Sequence, residues 1–201
     1  MHLSDGILSG PVVAGGFVTA AVLARWGAAG LRDDETPRVA VFTAAFFCAS
    51  LLHFKIPPTS VHLLFHGLLG VVLGRRALLA LPVGLGLQAA LLGHGGITTL
   101  GVNATLFGVA ALAASCVYHR LGAGQCSRPF LSGALAAAVA VLISGLLLTG
   151  ILWSLGEGFR WVARYALLAH LPVLAIEAVV TGFTVEFLRR VQPALLPGGA
   201  T

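Results

Sequence analysis

Charge is what the sequence has least of. Asp, Glu, Lys and Arg make up 9% of its 201 residues, lysine occurs once, at Lys55, and 58% of the chain is hydrophobic. That leaves too little polar surface to cover a water-soluble globule, which excludes a soluble enzyme. Cysteine is scarce too. Cys48, Cys116 and Cys126 include no C-x-x-C pair, so neither a disulfide framework nor a thiolate metal centre is encoded, and all three are expected to be small apolar packing residues. No G-x-x-x-x-G-K-[ST] is present, which excludes ATP binding through a P-loop. The start, Met1-His2-Leu3-Ser4-Asp5-Gly6, has no basic region, and no A-x-A site closes the apolar stretch after it, so no signal peptide is expected to be removed.

What is present is a series of apolar runs. At roughly 20 residues per crossing, the chain has room for about six to eight membrane spans. The runs predict seven helices near 8–29, 37–54, 60–74, 76–93, 103–120, 129–155 and 160–190, with ends good to about four residues. Gly74-Arg75-Arg76 divides the third from the fourth, so a single kinked hairpin is the alternative there. The expected fold is an all-α integral membrane protein of about seven transmembrane helices in one bundle, a single transmembrane domain over residues 1–201. Glycine, 26 of 201 residues, points to closely packed helices. Ala40-x-x-x-Ala44, Ala45-x-x-x-Ala49 and Gly70-x-x-x-Gly74 are expected to be internal contacts rather than docking faces.

The basic residues orient the bundle. With the N-terminus outside, the inner loops collect Arg25, Arg32, Arg38, Arg75, Arg76, Arg120, Arg128, Arg189 and Arg190, while Lys55, Arg160 and Arg164 lie outside. This alternation predicts an outer N-terminus and a cytoplasmic C-terminus. It also brings His2, His53, His62, His66 and His94 to or near the outer face, so a ligand is expected to arrive from outside.

His2 carries the most specific chemistry. The α-amine of Met1, the amide nitrogen of residue 2 and the His2 imidazole can wrap one metal ion as three nitrogen donors in a plane, with a fourth corner open. Square-planar nitrogen coordination selects Ni(II) or Cu(II), whereas Zn(II) prefers a tetrahedron and Ca(II) or Mg(II) prefers oxygen. The alternative is an ordinary exposed terminal histidine. The best candidate for the fourth donor is His62, expected in the first turn of the third helix, with Thr59 or Ser60 as its cap and Pro57-Pro58 fixing the approach.

His62 and His66 share the spacing of zinc proteases, but Leu63-Leu64-Phe65 supplies no glutamate, so that motif fails. His66 is either an auxiliary ligand or a hydrogen-bonded histidine in a helix interface. The glycine-rich stretch from Gly93 to Asn103 either walls the site, with His94 or Asn103 hydrogen-bonding a liganding imidazole, or is a tight outer turn. His170 and Glu177 lie seven apart on one face of the last helix, either as a relay or as a structural pair.

These residues resemble the cobalt/nickel membrane subunit family of energy-coupling factor transporters, the CbiM/NikM family. The likeness runs through Met1-His2-x-x-Asp5-Gly6, Thr59-Ser60-Val61-His62-Leu63, Gln88 followed by Gly95-Gly96-Ile97-Thr98-Thr99-Leu100-Gly101-Val102-Asn103, and His170-Leu171-Pro172, Glu177 and Pro193-Ala194-Leu195-Leu196. It departs at His94, where an aspartate is expected, and at His66, where a glycine is usual. The resemblance implies a substrate-capture protein whose N-terminal segment, residues 1–7, tucks into the bundle, with Met1, His2 and His62 as ligands of a transported Ni(II) or Co(II). It further implies a transmembrane coupling subunit, cytoplasmic ATPase subunits and often a small accessory membrane subunit, in the inner cell membrane. No catalytic activity, resident cofactor or nucleic-acid partner is expected. The competing readings are an intramembrane metalloenzyme built on His62 and His66, and a secondary ion permease using His170 and Glu177.

Overall fold

The structure, a computed structural model, describes residues 2–56, 59–122 and 127–198, and over 53–62 it describes the backbone alone. Its elements are α1 (Gly10–Ala28), α2 (Thr36–Ala49), strands β1 (His53–Ile56) and β2 (Thr59–His62), α3 (His66–Leu73), α4 (Ala77–Leu92), α5 (Leu100–Arg120), α6 (Pro129–Ser154) and α7 (Glu157–Val191), with short 3-10 turns at Asp33–Glu35, Gly74–Arg76 and Pro193–Leu195. Prolines stand in the first turns of α1, α2 and α6, where their missing N–H is no loss. Among the described residues, five helical stretches are long and apolar enough to cross a membrane, by length and composition: Gly10–Ala28, His66–Leu92, Leu100–Arg120, Pro129–Ser154 and Glu157–Val191. At about 1.5 Å per residue, the 35 residues of α7 exceed the ~30 Å hydrocarbon layer. Beside its start, Arg160 and Arg164 lie over the Trp153 ring at 5.7 and 5.6 Å.

The second and third helices differ from expectation. α2 stops at Ala49 and α3 starts only at His66. The intervening chain pairs with itself as an antiparallel hairpin in the register His53↔His62, Phe54↔Val61, Lys55↔Ser60 and Ile56↔Thr59. Backbone that leaves a helix must find other partners for its polar groups, and the hairpin supplies them. His62 therefore ends a strand rather than opening a helix, and Phe65, not Thr59 or Ser60, occupies the cap position of α3. Pro57 and Pro58 lie outside the described residues.

Gly74 (φ +54°, ψ −130°) breaks the stretch His66–Leu92, and the chain reverses there. α3 runs beside α5 in the same direction, with Gly70 so close that a Cβ on it would lie 2.0 Å from the Ala111 carbonyl oxygen. α4 then returns antiparallel to α5, with Leu78 at Gly108 and Gly86 at Leu100. Small residues make this approach possible: Ala110, Ala111 and Ala114 of α5 and Ala136, Ala137 and Ala140 of α6 are buried in the core.

Gly70 is thus internal, but Ala40, Ala44 and Ala45 lie on the exposed face of α2, and Cys48 and Cys116 are exposed and free. In a membrane the surface is as apolar as the core, so composition did not separate the two. Val12, Phe17, Val18, Val22 and Trp26 of α1 and Phe183, Phe187 and Val191 of α7 form similarly exposed apolar faces.

At the end of the bundle opposite residues 2–7, Arg76 joins three elements. Its guanidinium donates to the carbonyls of Gly27 (2.6 Å), Ala29 (2.8 Å) and Gly30 (2.6 Å), and it pairs with Glu35 at 2.9 Å. Arg75 adds a bond to the Ala29 carbonyl at 2.9 Å.

Candidate metal centre

The chain just after His2 is fixed by side chains of the 95–103 stretch. Leu3 is 1% exposed. Its N–H donates to Asn103 Oδ1 at 3.0 Å, and its carbonyl accepts from Asn103 Nδ2 at 3.0 Å and from the Thr99 hydroxyl at 2.7 Å. A carboxamide offers one donor edge and one acceptor edge, which match the N–H and C=O of a single residue.

Two residues on, the Asp5 carboxylate accepts the N–H of Thr98 at 2.8 Å, the N–H of Ile97 at 3.2 Å, and the Thr98 hydroxyl. Those amides lie in the turn just before Thr99, the cap of α5, close to the helix end where negative charge is favoured. The Thr98 hydroxyl first, then the Thr98 and Ile97 amides, hold the Asp5 carboxyl below its ordinary range.

Gly95 and Gly96 make room for this docking. A Cβ on Gly96 would lie 2.2 Å from Asp5 Oδ1, and one on Gly95, whose φ is +78°, would lie 3.1 Å from the His2 Cβ. At Gly96 only hydrogen fits, and at Gly95 the left-handed backbone strains any other residue.

The His2 ring meets Phe107 of α5 edge-on, with centroids 5.2 Å apart. His66 packs against the same ring at 5.1 Å and places Nε2 3.2 Å from the Ser144 hydroxyl on α6. It is thus fully buried as a hydrogen-bonded histidine between α3 and α6. Asn103 holds the Leu3 backbone, where a bond to a liganding imidazole was expected, because the docked segment presents peptide groups to it. His94 is half-buried at the end of α4, with its N–H on the Gln88 carbonyl at 3.1 Å.

Met1 and the side chain of His62 lie outside the described residues; the backbone of His62 ends β2. Among the described residues, no three His, Cys, Asp or Glu side chains converge as a metal site.

His170 and Glu177 have separate partners. His170 Nδ1 bonds the Ala166 carbonyl at 2.7 Å, whereas the Glu177 oxygens accept the backbone N–H groups of Leu64 and Phe65. The residues that the sequence left without a role are Asp5 and Phe107, and within the Gly93–Asn103 stretch it did not single out Thr99 or the Gly95-Gly96 pair. The density of glycine and threonine just before α5 was the signal for Thr99 and the glycine pair; no spacing in the sequence gave Asp5 or Phe107 a role.

The family model for CbiM, the cobalt uptake substrate-specific transmembrane region, matches residues 2–195. A putative metal transport protein of Haemophilus influenzae is 28% identical over 211 residues, covering 98% of this chain and 97% of that protein. A putative fused nickel transport protein NikMN of Archaeoglobus fulgidus is 25% identical over 201 residues, covering 98% of this chain and 68% of that protein. A crystal structure of a transition metal transporter superposes with a TM-score of 0.79 at 26% identity, covering 95% of this chain and 93% of that one.

Proposed function

Because the chain belongs to the CbiM family of cobalt-uptake transmembrane proteins, we propose that it is the substrate-specific membrane component of an energy-coupling factor importer for Ni(II) or Co(II). It is a multi-pass membrane protein of a family of transporters, with no chemistry of its own. The observation that carries the reading is the clasp on Leu3: Asn103 and Thr99 hold both polar groups of the residue next to His2 inside the bundle. A terminal histidine of no consequence needs no such anchor.

In this reading the Met1 amine, the His2 amide nitrogen and imidazole, and the His62 imidazole surround the ion in a plane. His66 stays in the α3–α6 interface, and Asn103 acts by seating residues 1–7. Binding displaces protons from the amine, the amide and the imidazoles, so affinity falls as pH falls. The ion enters with the N-terminus on the outer side of the inner cell membrane and the C-terminus cytoplasmic. One transmembrane domain over 1–201 does the capturing, and a transmembrane coupling subunit with ATPase subunits, joined by a small accessory membrane subunit, drives uptake. The fused NikMN relative, of which this chain covers 68%, supports a partner that meets this subunit closely.

Calorimetric titration of the purified chain with Ni(II) and Co(II), read with absorption spectra, tests the donor set. Adding one residue before Met1 moves the α-amine out of the plane and abolishes Ni(II) binding; unchanged affinity after that extension overturns the assignment.

A further inference from the structure

Glu177 is fully buried within α7, and a carboxyl group inside a membrane-spanning bundle is costly enough to need a purpose. Both of its oxygens act as acceptors. Leu64 N–H donates to Oε1, and Phe65 N–H reaches both oxygens at 3.0 Å. Two successive backbone N–H groups turned toward one point make a concavity that fits an anion. Phe65 has φ +47°, the only left-handed non-glycine residue among the described residues, a conformation that persists only where the surroundings over-determine it. Leu63 and Leu64, 6% and 2% exposed, seal the clasp from water.

Leu64 stands two positions after His62, where β2 ends and the chain turns into α3. We propose that Glu177 is a positioning residue for the cargo: by gripping the Leu64 and Phe65 amides it sets where the end of β2, and with it His62, stands relative to the donors of the N-terminus. This rests on the reading of His62 as the fourth donor. The contact crosses 113 residues of sequence, so α7, which supplies no ligand, sets the geometry of one.

A double-variant cycle on the full chain with its native N-terminus tests the proposal, with Ni(II) titration and the visible absorption band as readouts. Glu177→Gln keeps the shape but turns one acceptor into a donor facing an N–H. Alone, it weakens Ni(II) binding about tenfold and shifts the band. In the H62A background, where the three N-terminal donors remain, it has no further effect beyond about twofold. Equal losses in both backgrounds mean that Glu177 supports the bundle as a whole and overturn the proposal. Parent affinity in E177Q, with H62A impaired, overturns it as well. Parent affinity in H62A alone overturns the fourth-donor reading beneath it, and is told apart because it appears in that single variant. Where H62A falls below the Ni(II) range, Cu(II), which nitrogen sites hold more tightly, is the probe. Where E177Q does not fold, E177D, one methylene shorter, carries the same comparison.

Discussion

Two segments carry the proposed donors, and each is held by a buried side chain acting on backbone just beyond the donor, yet the two side chains differ in kind. Leu3, after His2, is held by the neutral carboxamide of Asn103 with Thr99 beside it. Leu64 and Phe65, after His62, are held by the carboxyl group of Glu177. The difference follows from what each backbone offers. Leu3 presents one donor and one acceptor, which a carboxamide matches edge to edge. Leu64 and Phe65 present two donors, and both oxygens of the Glu177 carboxyl group accept from them. Each position therefore specifies its side chain by hydrogen-bond polarity rather than by size.

Exchanging the polarities is the strongest way to break this comparison. Asn103→Asp places an acceptor against the Leu3 carbonyl and leaves that carbonyl with Thr99 alone. A buried group so opposed costs about 3 kcal/mol, so Ni(II) binding is expected to weaken about a hundredfold, measured by titration. Retained affinity in N103D would show that the Leu3 clasp is not coupled to the ion.

Thr99→Val is gentler: it removes one of two donors to the Leu3 carbonyl, about 1 kcal/mol, and weakens binding about fivefold. The smallest effect is expected at Asp5, which is exposed. Because hydrogen bonds hold its carboxyl below the ordinary range, its contribution is complete at neutral pH and is lost as pH falls through its lowered value. Amide hydrogen exchange at Ile97 and Thr98, corrected for intrinsic rates, should show protection at pH 6 that fades in strong acid, and Asp5→Asn should remove that pH dependence.

The fold was largely legible in the sequence where apolar runs are long and capped. α1, α4, α6 and α7 lie within a few residues of their predicted ranges, since Pro11 and Pro129 mark starts and Arg189-Arg190 a finish. The hairpin was not legible: four-residue strands on either side of Pro57-Pro58 are too short for their alternation to stand out from a neighbouring helical run. In the site, the place of Asn103 could be read from the glycine-rich stretch, but its partner could not, because Leu3 is 100 positions away and offers only backbone, which no side-chain pattern encodes. Glu177 invited pairing with His170 for the same reason.

The seam made by Arg76 has a mechanical consequence. It ties the last turn of α1, the approach to α2 and the start of α4 into a fixed base, whereas at the far end α1 follows the docked residues 2–7 and α4 leads into the stretch that holds Leu3 and Asp5. α4, at 16 residues, is a lever of about 24 Å. A tilt of about 5° at that base would swing its tip, which runs into the stretch that receives residues 2–7, by about 2 Å, while the pivot hardly moves.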